Sequence, residues 1–199
     1  MFDKRNLNGL IAVCALALAL IFRAPLTAYM STHMLVQIPL LVLAGICAEQ
    51  AWRAWRGPLA SGGRGQGARG WSYNEYGVPG LLFASLIGAC WMLPRALDDA
   101  LLVWQVAVFK YVGLFVVGVV LRASIRRSNT VIKLFFLGNF CWMSAIVGMI
   151  YLDQPVRLCN AYLQTDQEWA GRGLIALAII LPSSWLLSEV QPIWRFLNR

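Results

Sequence analysis

Apolar residues run along this chain in six long blocks, at roughly 8–27, 31–50, 76–94, 101–121, 130–152 and 173–190. Each block is close to the ~20 residues that a helix needs to cross a ~30 Å hydrocarbon core. Polar residues are confined mostly to short turns between the blocks, with longer polar stretches at 51–75 and 153–172. The pattern predicts an all-α fold: one membrane domain over 1–199, a polytopic integral membrane helical bundle with about six transmembrane helices. Composition agrees, since 59% of the residues are hydrophobic, 13% are charged and the mean hydropathy is +0.63, whereas soluble domains carry about 25% charged residues.

The first block follows Asp3, Lys4 and Arg5, and its LIAVCALALALIF run has the character of a signal-peptide core. Arg23-Ala24-Pro25 follows it in place of a small-residue cleavage site, so the expected form is a retained signal-anchor helix. Its short turn predicts an antiparallel pair with the second block.

The basic residues orient the bundle. A cytoplasmic N-terminus puts Lys4, Arg5, Arg53, Arg56, Arg64, Arg69, Arg122, Arg126, Arg127, Arg195 and Arg199 inside, and Arg23, Arg95, Arg157 and Arg172 outside. Positive charge accumulates on the cytoplasmic side of membrane proteins, which predicts a multi-pass protein of the bacterial inner membrane with both termini cytoplasmic. The formal net charge of +8 then reads as a topology signal and an attraction to anionic membrane lipids; it implies no nucleic acid. The 51–75 stretch becomes a cytoplasmic Gly/Arg-rich loop with Trp52, Trp55 and Trp71 as interfacial anchors, and 153–172 becomes an external loop that carries Cys159 and can dock a partner.

Chemistry concentrates at the start of the second block, Tyr29 to Gln50, which holds the chain's single histidine. Met30, His33 and Gln37 are three and four residues apart and share one helical face, with Met34 one step round. The third block ends in Cys90, Trp91, Met92 and Pro94-Arg95, where the proline is expected to bend or end the helix and return Cys90 and Met92 to the depth of His33. Thioether, thiolate and imidazole suit Cu(I), so His33, Met30, Met34, Met92 and Cys90 are the candidate metal ligands. The same residues can equally be the packed outer end of a bundle.

Four further polar positions call for an account. Asp98 and Asp99 are expected in a short external turn, where they cap the fourth helix or contact a metal or a partner. Lys110 lies close to the middle of the fourth block and is costly there unless it pairs, faces the bundle or snorkels. Asp99 is about 13–14 Å of helix rise away, so a partner has to come from another helix, with Gln37 and Asn139 as candidates. A structural polar lock and a direct role with substrate, lipid or protons both remain open for this lysine. Asn139 is also available for a hydrogen bond across a helix interface, beside Gly138 and near Gly148. Cys90 and Cys159 are the cysteines nearest the outer side and can form a disulfide there, a pairing that spacing leaves undecided.

Absent motifs narrow the function. One histidine provides neither bis-histidine haem ligation nor an HExxH site, and the chain lacks a CxxC pair and any Walker-type glycine motif. No catalytic group set is assembled, and the chain is expected not to be an enzyme.

The run STHMLVQIPLLVLAG resembles the membrane helix of the CtaG-like cytochrome c oxidase assembly proteins, in which a histidine-methionine segment is followed by a proline and a leucine-rich run. WMLPRALDDALL, leading into the helix of Lys110, is similar to that family's Trp/Pro segment before an external turn. The two cover under a third of the chain. The resemblance implies a polytopic helical protein associated with copper delivery to, or assembly of, haem-copper oxidases. His33 matches the first histidine of the family's paired-histidine helix, Gln37 stands where the second is expected, and the family's further histidines are missing. The implied function is an accessory or assembly protein for a membrane copper or respiratory enzyme, with integral membrane subunits of that enzyme as partners and Cu(I) as a candidate ligand. The alternative is a non-catalytic structural or lipid-binding subunit of a larger membrane complex.

Overall fold

The computed structural model describes residues 4–56, 74 and 76–197, with side-chain surroundings over 6–56, 74 and 76–187. The chain forms an all-α, multi-pass helical bundle. Its helices are α1 (Lys4–Ile21), α2 (Arg23–Thr27), α3 (Met30–Thr32), a π-helical turn (His33–Gln37), α4 (Ile38–Arg56), α5 (Val78–Trp91), α6 (Pro94–Leu102), α7 (Trp104–Arg127), α8 (Thr130–Asp153) and α9 (Gln164–Leu197). Four stretches are long and apolar enough to cross a membrane: Met30–Arg56, Trp104–Arg127, Thr130–Asp153 and Gln164–Leu187. A fifth crossing is added if α5 and α6, bent by 76°, count as one span. The expectation of six is therefore met for four or five, and the apolar part of α1, Asn6–Ile21, is shorter than a full crossing.

Local chemistry explains where the helices break. Pro94 opens α6, and Leu93 before it is extended at φ −77°, ψ 129°, as a pre-proline residue tends to be. Asp98 and Asp99 consequently lie inside α6 and do not cap the next helix, whose N-cap is Val103 with no side-chain bond. Pro39 lacks the N–H that would continue the ladder, and the turn just before it is widened, with the Ile38 N–H bonded to the His33 carbonyl five residues back. Pro39 supplies a reason for that π turn. The segment expected to be external, 153–172, is also shorter than expected, because α9 is already helical from Gln164. Of the loop expected at 51–75, residues 51–56 continue α4, while 57–73, including Trp71, lie outside the described residues.

Helix α4 is the hub. On one side it meets α1 in the expected antiparallel sense: Gly9 faces Ala51 near one end, and the Ala19 carbonyl accepts from Gln37 near the other. Buried Ala12, Ala15 and Ala19 line the α1 face. On the other side it crosses α7 at Gly45 and Gly118, where an added Cβ on Gly118 would lie 2.1 Å from the Val42 carbonyl oxygen and 2.9 Å from the Gly45 Cα. Helices α8 and α9 cross in the same manner at Gly148 and Gly171. Small residues let transmembrane backbones approach closely, replacing the hydrophobic drive that lipid removes. Gly138, expected to serve the same purpose, has open space around it.

These crossings predict opposite outcomes for two glycines of one bundle. Gly118→Val should lower the thermal stability of the detergent-solubilised protein by about 1–3 kcal/mol or more through overpacking. Gly138→Val should stay within about 0.5 kcal/mol of wild type. Equal effects in a melting assay would show that the Gly45–Gly118 approach is not structural.

Candidate functional site

The polar residues of the second and fourth blocks meet in one buried cluster. Gln37 and His33 are fully buried and Lys110 is 1% exposed. Lysine presents N–H donors. Lys110 Nζ lies 2.8 Å from His33 Nε2 and 2.8 Å from Gln37 Oε1, and 4.8 Å from the centroid of the Tyr111 ring, within cation–π reach. Lys110 sits six residues, or about 9 Å of rise, inside the end of α7 that begins at Trp104, so it is shallower than its place in the block implied.

The hydrogen-bond directions close consistently. With Nε2 accepting from Lys110, the remaining ring N–H is on Nδ1, which lies 2.7 Å from the Tyr162 hydroxyl. Tyr162 in turn donates to the Thr27 carbonyl at 3.2 Å. Gln37 accepts through Oε1, and its Nε2 donates to the Tyr111 hydroxyl at 3.0 Å and to the Ala19 carbonyl at 3.3 Å. The tautomer and the amide orientation are assigned from this network. Among the described residues no carboxylate lies within ion-pairing distance of Lys110; its partners are neutral acceptors and a ring. Of its two expected neighbours Gln37 is present, while Asn139 is exposed on α8 and donates to the Met143 sulfur at 3.6 Å.

Beside this cluster the structure gathers three of the expected soft ligands. Met30, Met34 and Met92 share one buried core with Tyr151, Tyr162, Leu97 and Cys159. Cys90 is exposed and does not join them. Cys159, which sequence reasoning did not place here, is 1% exposed and donates to the Pro94 carbonyl at 3.3 Å. Burial, with the Asp98 carboxylate beside it, pushes its thiol up to about 12. The Cys90–Cys159 pairing is not formed; both are free thiols. Asp98 accepts from the backbone N–H groups of Asn160 and Ala161 at 2.8 and 3.2 Å. Asp166 ties down the start of α3 by accepting from Met30 N at 2.5 Å and Ser31 Oγ at 3.2 Å. Asp98 thus fastens the external segment onto α6, and Asp99 is half-buried next to it.

The donor set does not fit the copper ion that the resemblance implies. Both ring nitrogens of His33 are already hydrogen-bonded and Cys90 is apart, whereas metal ligation needs a free imidazole lone pair. Among the described residues no three His, Cys, Asp or Glu side chains converge on a metal position. Comparison with known proteins adds no assignment: no family model, no curated protein and no solved structure matches the chain.

Two outcomes follow from the geometry. Lys110→Met removes the donor from two buried acceptors, His33 Nε2 and Gln37 Oε1, each costing about 1–3 kcal/mol when orphaned. The purified variant should therefore melt clearly below wild type, and an unchanged melting curve would show that the lysine only snorkels. Cys159 should resist maleimide at neutral pH while Asn160→Cys, at an exposed position, reacts. The folded state holds this thiol above its ordinary 9.0, so its contribution to stability is present below about pH 9 and is lost as pH rises towards about 12.

Proposed function

We propose that this chain is a non-enzymatic accessory or assembly protein that binds integral membrane subunits of a respiratory or copper enzyme through its transmembrane faces. The observation that carries the reading is Asn139. It is an amide on the exposed face of the crossing helix α8, the only side-chain hydrogen bond it makes among the described residues is a long one to Met143 Sδ, and Gly138 beside it is open. A polar side chain in hydrocarbon gains by finding a partner, and small neighbours let a partner helix approach. Phe135 and Trp142, both 68% exposed, flank it one turn away on either side. Helices α8 and α9 bury only 17% of their apolar stretches within the bundle, against 44% for Met30–Arg56, which leaves two faces for lipid or protein. The enzyme class rests on the resemblance of STHMLVQIPLLVLAG and WMLPRALDDALL to the oxidase assembly proteins.

In this reading the chain crosses the bacterial inner membrane six times, with α1–α2 and α5–α6 each completing a crossing and both termini in the cytoplasm. Membrane-impermeant labelling should reach Asn160→Cys from outside and Gly65→Cys only after permeabilisation. Labelling of both from one side would refute the topology.

Affinity purification from native membranes, followed by mass spectrometry of intact complexes, tests the function. The assembly reading expects respiratory or copper-enzyme subunits to co-purify in substoichiometric amounts, and their recovery to fall about tenfold or more in Asn139→Leu at unchanged expression. Stoichiometric retention in the mature complex would favour the alternative, a structural or lipid-binding subunit, which the same exposed faces would also serve. Purification with lipid alone, unaffected by Asn139→Leu, would refute the partner-binding proposal.

A further inference from the structure

The His33–Gln37 pair looks like half of a metal site, yet something already stands between the two. His33 Nε2 and Gln37 Oε1 come from one turn, both are fully buried, and both direct a lone pair at the same point from 2.8 Å away. That point is occupied by Lys110 Nζ. The remaining surroundings also suit an amine. The Tyr111 ring faces it at 4.8 Å, Gln37 is prevented from turning its N–H groups inward because both are spent on Tyr111 and Ala19, and no described carboxylate competes for it.

We infer that His33, Gln37 and Tyr111 form a receptor for a primary amine, that Lys110 is its built-in occupant, and that this occupancy is what closes the position to Cu(I). A metal bound through His33 Nε2 would have to displace the Lys110 amine, and the amine has no other described acceptor to move to. Met30 and Met34 lie on the same short stretch as His33, so vacating the amine frees an imidazole lone pair on a stretch that also carries two thioethers, ligand types that Cu(I) favours. The inference does not depend on the assembly reading. A partner can still be bound through α8 if it fails, and a copper-enzyme partner is then served by protein contact with no copper passing through His33.

The test uses the full-length protein in detergent or nanodiscs, with Cu(I) in competition with a chromogenic chelator and methylammonium as the amine probe. Wild type should show no His33-dependent Cu(I) binding. Lys110→Ala should bind one Cu(I) per chain, with affinity falling roughly tenfold or more when His33→Ala is added. Methylammonium should raise the melting temperature of Lys110→Ala towards wild type and compete with its copper, while tetramethylammonium, which has no N–H to donate, should do neither. The rescue arm also decides the case in which Lys110→Ala folds poorly, since recovery of folded protein with methylammonium supports the receptor and no recovery overturns it. His33-dependent copper binding by wild type overturns the inference, as does a folded Lys110→Ala protein that takes up no copper.

Discussion

A lysine amine inside a membrane bundle must be met by acceptors, and the architecture around Lys110 is arranged to provide them. Lysine inside a transmembrane helix costs about 2.5–3.5 kcal/mol even by the mildest scales, while hydrogen bonds involving charged groups recover about 1.5–3 kcal/mol each. His33 and Gln37 provide two at 2.8 Å. Each is held in turn by a group from elsewhere in the chain: Tyr162 from the external segment on His33, and Tyr111 of α7 with the Ala19 carbonyl of α1 on Gln37. One amine thereby couples α1, the π turn, α7 and the segment before α9. A half-satisfied network in such a place would be worse than an apolar core, and this one has a partner for each of the polar atoms just named.

The rest of the bundle is built by close backbone approach. Gly45 with Gly118 and Gly148 with Gly171 bring two pairs of helices almost to contact, the first of them on α4, which continues directly from the π turn. Closing one end of the bundle falls to two carboxylates, Asp98 and Asp166, that accept backbone N–H groups from other elements. Their negative charge is therefore spent on fastening that end, so the acids that looked available for docking are partly inside the fold. The apolar stretches of α8 and α9 are the least buried of the four long spans, at 17% each.

Much of this was legible in the residues. The apolar blocks located the helices, and the block at 130–152 differs from α8 by a single residue at its end. The distance from Asp99 correctly required Lys110 to find a partner on another helix, and Gln37 was a named candidate. The proximity of Met92 to Met30 and Met34 followed from the proline that ends α5. What could not be read was direction. Periodicity places His33, Met30 and Gln37 on one face but does not say that the ring nitrogens turn to Lys110 and Tyr162. Pro39 was a signal for the widened turn that carries these side chains, and it went unused. Cys159 and Tyr162 are remote in sequence and sit in a stretch without regular period, so only the tertiary fold could bring them to the site. Four or five of the six expected spans are met as long apolar helices, because apolar length does not reveal a break at Phe22 or a 76° bend at Pro94.

The central claim is the contact between one amine and one imidazole nitrogen. Solid-state NMR of wild-type protein in lipid, labelled with 15N in lysine and histidine, observes it without any substitution, since the chain has one histidine and only three lysines, Lys4, Lys110 and Lys133. The structure predicts that Nδ1 of His33 carries the ring proton, that Nε2 is an unprotonated acceptor, and that Nε2 and Lys110 Nζ show a dipolar contact at hydrogen-bond distance. A ring protonated at Nε2, or an Nε2 with no lysine nitrogen near it, would contradict the account.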